Sequence, residues 1–407
     1  MNNQRIVIGV LLAAGIVAAY YAYQLFFANA PVNQPVVQTD STKAPAQTQQ
    51  LVRQERLNLH VACRYADSVG IDTSRYVVAG DDVAGLNRQL TAVLNEIRYG
   101  KKPSRLAFSG LREAMDPAWA TKLTGALTPT LLVGQVDFAP YRQLVGHYAK
   151  LRLGVKTGGA LADSLRLIRQ TLNFYRYVNR FDADKLVIVN IPSAELTVFD
   201  RKGERLLPMP VIVGRADKQT PCMTTYIKDI ITYPYWNVPR DIALSEMLPR
   251  MQRNVAYIYN QNLQVLDEQE HEVDPDEVDW DGVSTTNFPY RIRQGTGCDN
   301  SLGLMKFDLE NPLAIYLHDT NSRDLFRFAD RWRSHGCVRV QKPVDLANLV
   351  LGTDTFDAGF MNRCLDAQKP KTLPIPKRVP VFITYNTADV DSTGRLRFYP
   401  DVYTLNK

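Results

Sequence analysis

At 407 residues, with 45% hydrophobic and 22% charged side chains, the chain is long enough to bury two modest cores and is neither disordered nor low in complexity. Its 48 Lys and Arg exceed its 42 Asp and Glu by six, spread along the sequence with no long basic run. That excess argues against nucleic acid as a partner and fits a polyanionic wall, a lipid surface or plain solubility equally.

The first element is an uncharged stretch, Ile6 to Phe27, which as a helix would span about 33 Å, enough for one bilayer crossing. A cleaved signal peptide is the rival, since Ala28-Asn29-Ala30 resembles a small-x-small cut site. The apolar stretch exceeds the usual signal core and Pro31 follows the would-be cut, so a retained anchor is expected. Arg5 precedes the span and the next basic residue is Lys43, which keeps residues 1–5 cytoplasmic and sends the rest of the chain outside. Residues 28–50 are rich in Pro, Gln, Thr and Ser and read as a flexible linker.

Residues 51–183 read as a helical scaffold. Leu86, Leu90, Val93, Leu94 and Ile97 form a stripe of period 3.6 that stops at Gly100, and Leu161, Leu165, Ile168 and Leu172 form a second. From Leu186 the period changes to short β-branched runs broken by turn residues, LVIVNI, ELTVF and MPVIVG, then YIKDIITY, LMKFDL and LAIYL. Short helices are expected at 241–251, 322–332 and 344–351, and closing strands at VPVFITY and GRLRFYP. Segment 264–287, with its acidic run from Asp267 to Glu277, reads as an inserted loop or lid. KPKTLPIPKR, from Lys369 to Arg378, reads as an exposed connector. The fold class is α+β: an N-terminal transmembrane helix, a helical domain, then a mainly β, sandwich-like domain.

The chemistry gathers in LAIYLHDTNSRDLFRFADRWRSHGCVRV. A cysteine enzyme needs an imidazole to take the thiol proton, and either His318 or His335 could serve Cys337. Five cysteines, an odd count in an exported chain, leave at least one thiol unpaired, and a reactive Cys337 with a depressed pKa is expected. Cys222 and Cys298 are either a disulfide or two inert thiols. His60 and Cys63 have HxxC spacing but no second pair to complete a zinc site, and a zinc site from His318, His335 and Cys337 would consume the nucleophile. Tyr233, Tyr235 and Trp236 could line a cleft or simply pack.

HDT followed after a spacer by SHGCVR resembles the catalytic signature of the L,D-transpeptidase (YkuD-type) family, and NIPSAELTVFD, VIVG with QTPCM, YPYWNVPRDI and RQGTGCDNSLGLMKF resemble, in order, segments of its larger periplasmic branch. The resemblance covers roughly 184–405; no stretch resembles the peptidoglycan-binding module many of those members carry. It implies Cys337 as nucleophile, His318 as general acid/base, His335 and Gly336 in the oxyanion hole through backbone groups, and Ser334 as a loop anchor. Arg339, Ser334, Trp236 and Tyr235 are the expected substrate-binding residues. Asp319 or a backbone carbonyl orients the base. The implied reaction joins peptidoglycan stem peptides by a 3-3 cross-link, without metal or organic cofactor, on the periplasmic side of the inner membrane. Two rivals are a carboxypeptidase or amidase, with water as acceptor, and a non-catalytic wall-binding scaffold.

Overall fold

The computed structural model describes residues 46–77, 82–123, 125–153, 159–364 and 368–406. The expected membrane span 6–27 lies outside them; among the described residues no helix is long and apolar enough to cross a membrane.

Four long helices come first: α1 (Ala46–Ser68), α2 (Val83–Tyr99), α3 (Ala139–Leu153) and α4 (Gly159–Val178). α1 begins inside the segment read as linker, because AQTQQ is made of good helix formers. The Asp82 carboxylate caps α2 by accepting from the Ala84 N–H, and Gly100, at φ 57°, ends it where a side chain would meet Arg176 and Asn173. The Leu86, Val93, Leu94 and Ile97 stripe is buried.

The helices do not form one scaffold. α1 and α2 enclose their own core with Trp119, Leu127 and Leu132, whereas α3 and α4 pack on the sheet, with Leu165, Ile168 and Leu172 in one cluster with Ile188, Phe199 and Phe382. The boundary expected at 183 and 184 therefore falls within a packed unit.

The strands are β1 (Phe108–Ser109), β2 (Lys185–Asn190), β3 (Glu195–Asp200), β4 (Arg205–Gly214), β5 (Met223–Thr232), β6 (Trp236–Asn237), β7 (Leu263–Leu266), β8 (Glu272–Val273) and β9 (Arg291–Gln294). They continue with β10 (Met305–Leu309), β11 (Leu317–His318), β12 (Trp332–Ser334), β13 (Val338–Val340), β14 (Lys371–Thr384), β15 (Ala388–Val390) and β16 (Leu396–Phe398). β2 is a continuous apolar run because both its faces are covered: Leu186 and Ile188 face the helices, Val187 and Val189 the inner core.

The pairing runs β5-β10-β11-β13-β4-β3-β2-β14 and returns to β5, so the expected sandwich is a sheet whose pairings form a closed circuit. Val381, Phe382 and Ile383 close it by pairing with both β2 and β5, and the expected connector Lys369–Arg378 extends the β5 pairing as strand from Lys371, with a register shift between Pro374 and Val379 where the prolines cannot donate to a ladder. The helix expected at 322–332 is a 3-10 turn, Arg323–Arg327, followed by β12. A helix at Pro343–Leu351 covers the inner core through Leu346 and Ala347.

The acidic insertion is wider than 264–287. Residues 236–294 form a lobe with a four-stranded sheet, β6-β9-β7-β8, helical turns from Arg240 to Arg253 and a separate core around Met251, Ile258, Val265, Trp280 and Ile292. Cys298 and Cys364 form a disulfide, so neither is paired with Cys222; Cys63, Cys222 and Cys337 are free.

Candidate active site

β11 and β13 run parallel, pairing Leu317 with Val338 and His318 with Arg339, while β10 pairs Lys306 with His318. Residues in register across a sheet share a face. Leu317, Val338, Met305 and Phe307 point into the inner core, so Lys306, His318 and Arg339 point the other way. Tyr316 and Cys337 lie just before the paired residues: the Tyr316 and His318 rings are 5.5 Å apart, and Cys337 packs against the edge of the inner core with the Lys306 and Arg339 charges acting on its thiol.

Cys337 closes the turn between β12 and β13. Gly336, at φ 119°, needs a conformation that a side chain would strain. The turn is pinned from several sides: the Ser334 hydroxyl donates to the Cys337 carbonyl (2.6 Å) and accepts the Gly336 N–H (3.2 Å), and the Thr220 hydroxyl donates to the Gly336 carbonyl (2.7 Å). Ser334 is thus placed as a loop anchor rather than toward a substrate. The Gly336 N–H, expected in the oxyanion hole, donates here to the Ser334 hydroxyl.

His318 is 5% exposed, and its Nδ1 lies 2.5 Å from the Asp319 carbonyl oxygen. That carbonyl accepts only from a protonated Nδ1, which leaves the Nε2 lone pair available. The Asp319 carboxylate, tempting as a third partner of the base, is occupied elsewhere: it accepts the Leu304 N–H at 2.9 Å and pairs with Arg323.

The resting charge state differs from the expected thiolate. Burial pushes the Cys337 thiol up, against hydrogen bonds from the Tyr316 N–H and hydroxyl and the charges of Lys306 and Arg339. Burial, together with the Arg339 charge, pushes His318 down to about 3. The pair therefore rests as neutral thiol and neutral imidazole, because neither charge can be solvated there. The thiol donates to the Ala314 carbonyl at 3.6 Å, and Ala314 itself takes the unusual φ of 54°.

His335 is turned away from the thiol. Its Nε2 lies 2.7 Å from Glu246 Oε1 and 2.9 Å from Arg215 Nη1. Arg339 makes no ion pair among the described residues, and its buried Nε has no hydrogen-bond partner there, an uncompensated donor beside Cys337. Burial pushes the Tyr316 hydroxyl well above its ordinary value, with Trp236 acting against that rise. Tyr235 is 38% exposed, with the Arg293 guanidinium 4.6 Å over its ring. Tyr233 faces the core against Phe360 and is not part of the cleft.

Tyr316, Lys306 and Glu246 escaped sequence reasoning. Tyr316 carried a usable signal, two residues before His318 in a strand, but an aromatic in LAIYL reads equally well as core. Among the described residues there is no group of three or more His, Cys, Asp or Glu that could hold a metal.

Residues 184–382 match the YkuD family, described as the L,D-transpeptidase catalytic domain. This segment is a YkuD-type L,D-transpeptidase catalytic domain. A Haemophilus influenzae protein named "Putative L,D-transpeptidase" is 38% identical over 221 residues, 54% of this chain and 44% of that protein, so the chain spans less than half the length of that curated relative. Among solved structures, the Enterococcus faecium L,D-transpeptidase catalytic domain acylated by ertapenem aligns at 9% identity and a TM-score of 0.24, covering 50% of this chain and 99% of that one. An L,D-transpeptidase from Mycobacterium smegmatis aligns at 13% and 0.23, covering 50% and 59%.

Proposed function

We propose that the chain is a peptidoglycan L,D-transpeptidase that forms 3-3 cross-links from a tetrapeptide donor. The observation that carries the reading is His318 on β11 beside the parallel β13, whose first residue directly follows Cys337, with Nδ1 of the imidazole tied to a carbonyl and Nε2 free, inside a transpeptidase-type domain.

In the first step Cys337 gives its proton to His318 Nε2 as the sulfur attacks the carbonyl of the donor's third residue. Collapse of the tetrahedral intermediate breaks the amide bond; His318 returns the proton to the leaving D-alanine amine, and a thioester remains. In the second step His318 deprotonates the side-chain amine of another stem's third residue, which attacks the thioester and releases the thiol. General acid–base catalysis of this kind contributes about 10²- to 10⁴-fold. The Tyr316 N–H and hydroxyl, both aimed at the sulfur region, are better placed than the Gly336 N–H to receive developing oxyanion charge, beside the backbone of His335.

A base held near 3 is a poor proton acceptor until its surroundings change. Burial is the largest cause of that depression and the Arg339 charge the next; a substrate carboxylate paired with Arg339 would remove the second cause and raise His318 part of the way when substrate is bound. Trp236 and Tyr235, at the start of the inserted lobe, are the residues proposed to contact the substrate. Carbapenems are expected to acylate Cys337, as the transpeptidase-type domain at 184–382 implies. The span 6–27 anchors the domain in the inner membrane with the catalytic part in the periplasm.

The test is incubation with a purified disaccharide-tetrapeptide: D-alanine release with a 3-3 dimer that disappears in Cys337→Ala is expected. D-alanine release without dimer would make the chain a carboxypeptidase, and neither product would make it a scaffold.

A further inference from the structure

The inserted lobe touches the nucleophile turn through Glu246, which reaches His335, two residues before the nucleophile. Glu246 sits in a π-helical turn, Ala243–Met247, an irregularity often found at functional sites.

The contact has a defined polarity. A carboxylate oxygen 2.7 Å from Nε2 requires a proton on that nitrogen, so His335 donates to Glu246. Arg215 Nη1, 2.9 Å from the same nitrogen, then adds positive charge rather than a second hydrogen bond, with Nη2 3.9 Å from Glu246 Oε1. Arg215 is held by Asp217 at 2.8 Å, and its backbone N–H donates to the Ser334 carbonyl at 3.0 Å. The same loop, 214–220, carries Thr220 on the Gly336 carbonyl and Lys218 on Asp241 of the lobe at 2.7 Å. One loop thus grips both the nucleophile turn and the lobe, and Glu246 joins them directly.

We infer that Glu246 is a positioning residue for Cys337: by accepting from His335 and pairing with Arg215, it locks the nucleophile turn against the inserted lobe, so that the lobe's docking sets the geometry and solvation of the thiol. It acts through His335 and touches neither substrate nor sulfur. A lobe that merely roofs the substrate would change binding; this latch changes the nucleophile itself, even with no substrate present.

The test uses the full chain in detergent and compares wild type, Glu246→Gln, Glu246→Ala, His335→Gln and Glu246→Ala with His335→Gln combined. Two readouts are taken: the pH profile of Cys337 alkylation by iodoacetamide, located by peptide mass spectrometry, and kcat and KM for a tetrapeptide donor. The kinetic arm rests on the acyl-transfer reading above, whereas the alkylation arm does not. Glu246→Ala is expected to expose the thiol, moving its alkylation profile to lower pH with about a tenfold rise in rate at neutral pH. The same variant should lower kcat about tenfold with little change in KM, as loss of one charge-assisted hydrogen bond implies. Glu246→Gln, which keeps an acceptor, should restore most of both, and the double variant should be no worse than Glu246→Ala.

A thermal midpoint and Cys222 labelling like those of the wild type separate this from unfolding. Should Glu246→Ala raise KM alone and leave the alkylation profile where it was, the lobe is only a roof and the inference is wrong. Should Glu246→Gln be as impaired as Glu246→Ala while both stay folded, hydrogen-bond acceptance is not the mechanism. Should the wild type turn over no donor, the shift in alkylation still decides the inference, and its absence overturns it.

Discussion

Strands β10, β11 and β13 carry two faces of opposite character on one backbone. Met305, Phe307, Leu317, Val338 and Val340 point inward, each essentially inaccessible, and gain stability simply by leaving water. Lys306, His318 and Arg339 point outward and, with Tyr316 and Cys337 beside them, are largely covered, and their burial is unfavourable: the thiol is pushed up, the imidazole down and the Arg339 Nε left without a hydrogen-bond partner among the described residues. The inner face tolerates one chemistry, apolar and close-packed. The outer face holds groups that would be easier to solvate elsewhere, which is the signature of a site paid for by the fold beneath it.

The comparison is broken most severely by Cys337→Ala, expected to abolish acylation by a carbapenem while leaving the thermal midpoint within a degree or two, since one half-buried thiol contributes little to the core. His318→Gln comes next, with kcat down about 10²- to 10⁴-fold and folding retained; a residual rate within tenfold of wild type would move the base elsewhere. On the inner face Phe307→Ala should do the opposite, costing about 3 to 5 kcal/mol in urea unfolding while the surviving folded fraction keeps its turnover. If Phe307→Ala lowered turnover per folded molecule as strongly as His318→Gln, the two faces would not be separable.

The outer face should also appear in the pH dependence of stability. His318 has a folded pKa near 3 against an ordinary value of 6.5, so its neutral form is favoured by folding: the contribution is present above pH 6.5 and is lost as pH falls toward 3. At pH 4 the loss is roughly 3 kcal/mol. Urea unfolding at pH 7 and pH 4 should therefore show a smaller drop for His318→Gln than for wild type; equal drops would mean that His318 is not held neutral by burial. The mildest effect is expected of Arg339→Gln. It should raise KM for a carboxylate-bearing donor about tenfold and leave thiol alkylation largely intact; an unchanged KM would leave Arg339 without a substrate role.

The same contrast explains what could be read from the chain alone. Strands such as β2 and β3 were legible because burial on both faces leaves continuous β-branched runs, and α2 because its stripe ends at a glycine with a positive φ. The pairing of β14 with β5 was not legible, since prolines in Leu373–Pro380 argue locally against a strand and only distant partners overrule them. Cys337 and His318 were named from their motif. The thiol's charge state was misjudged because solvation depends on covering elements, which leave no mark in local composition. Tyr316, Glu246 and the Cys298–Cys364 bond were hidden for a related reason: each is defined by a partner far away in sequence.

The central claim is that the outward face of β11 and β13 makes a covalent acyl-enzyme on Cys337. Intact-protein mass spectrometry after brief mixing with a tetrapeptide donor at low pH, followed by peptide mapping, tests it most directly. The account predicts a mass gain equal to the donor minus D-alanine, on the Cys337 peptide alone, faint in His318→Gln and missing in Cys337→Ala. An adduct on Cys222 or Cys63, or full labelling in His318→Gln, would contradict it.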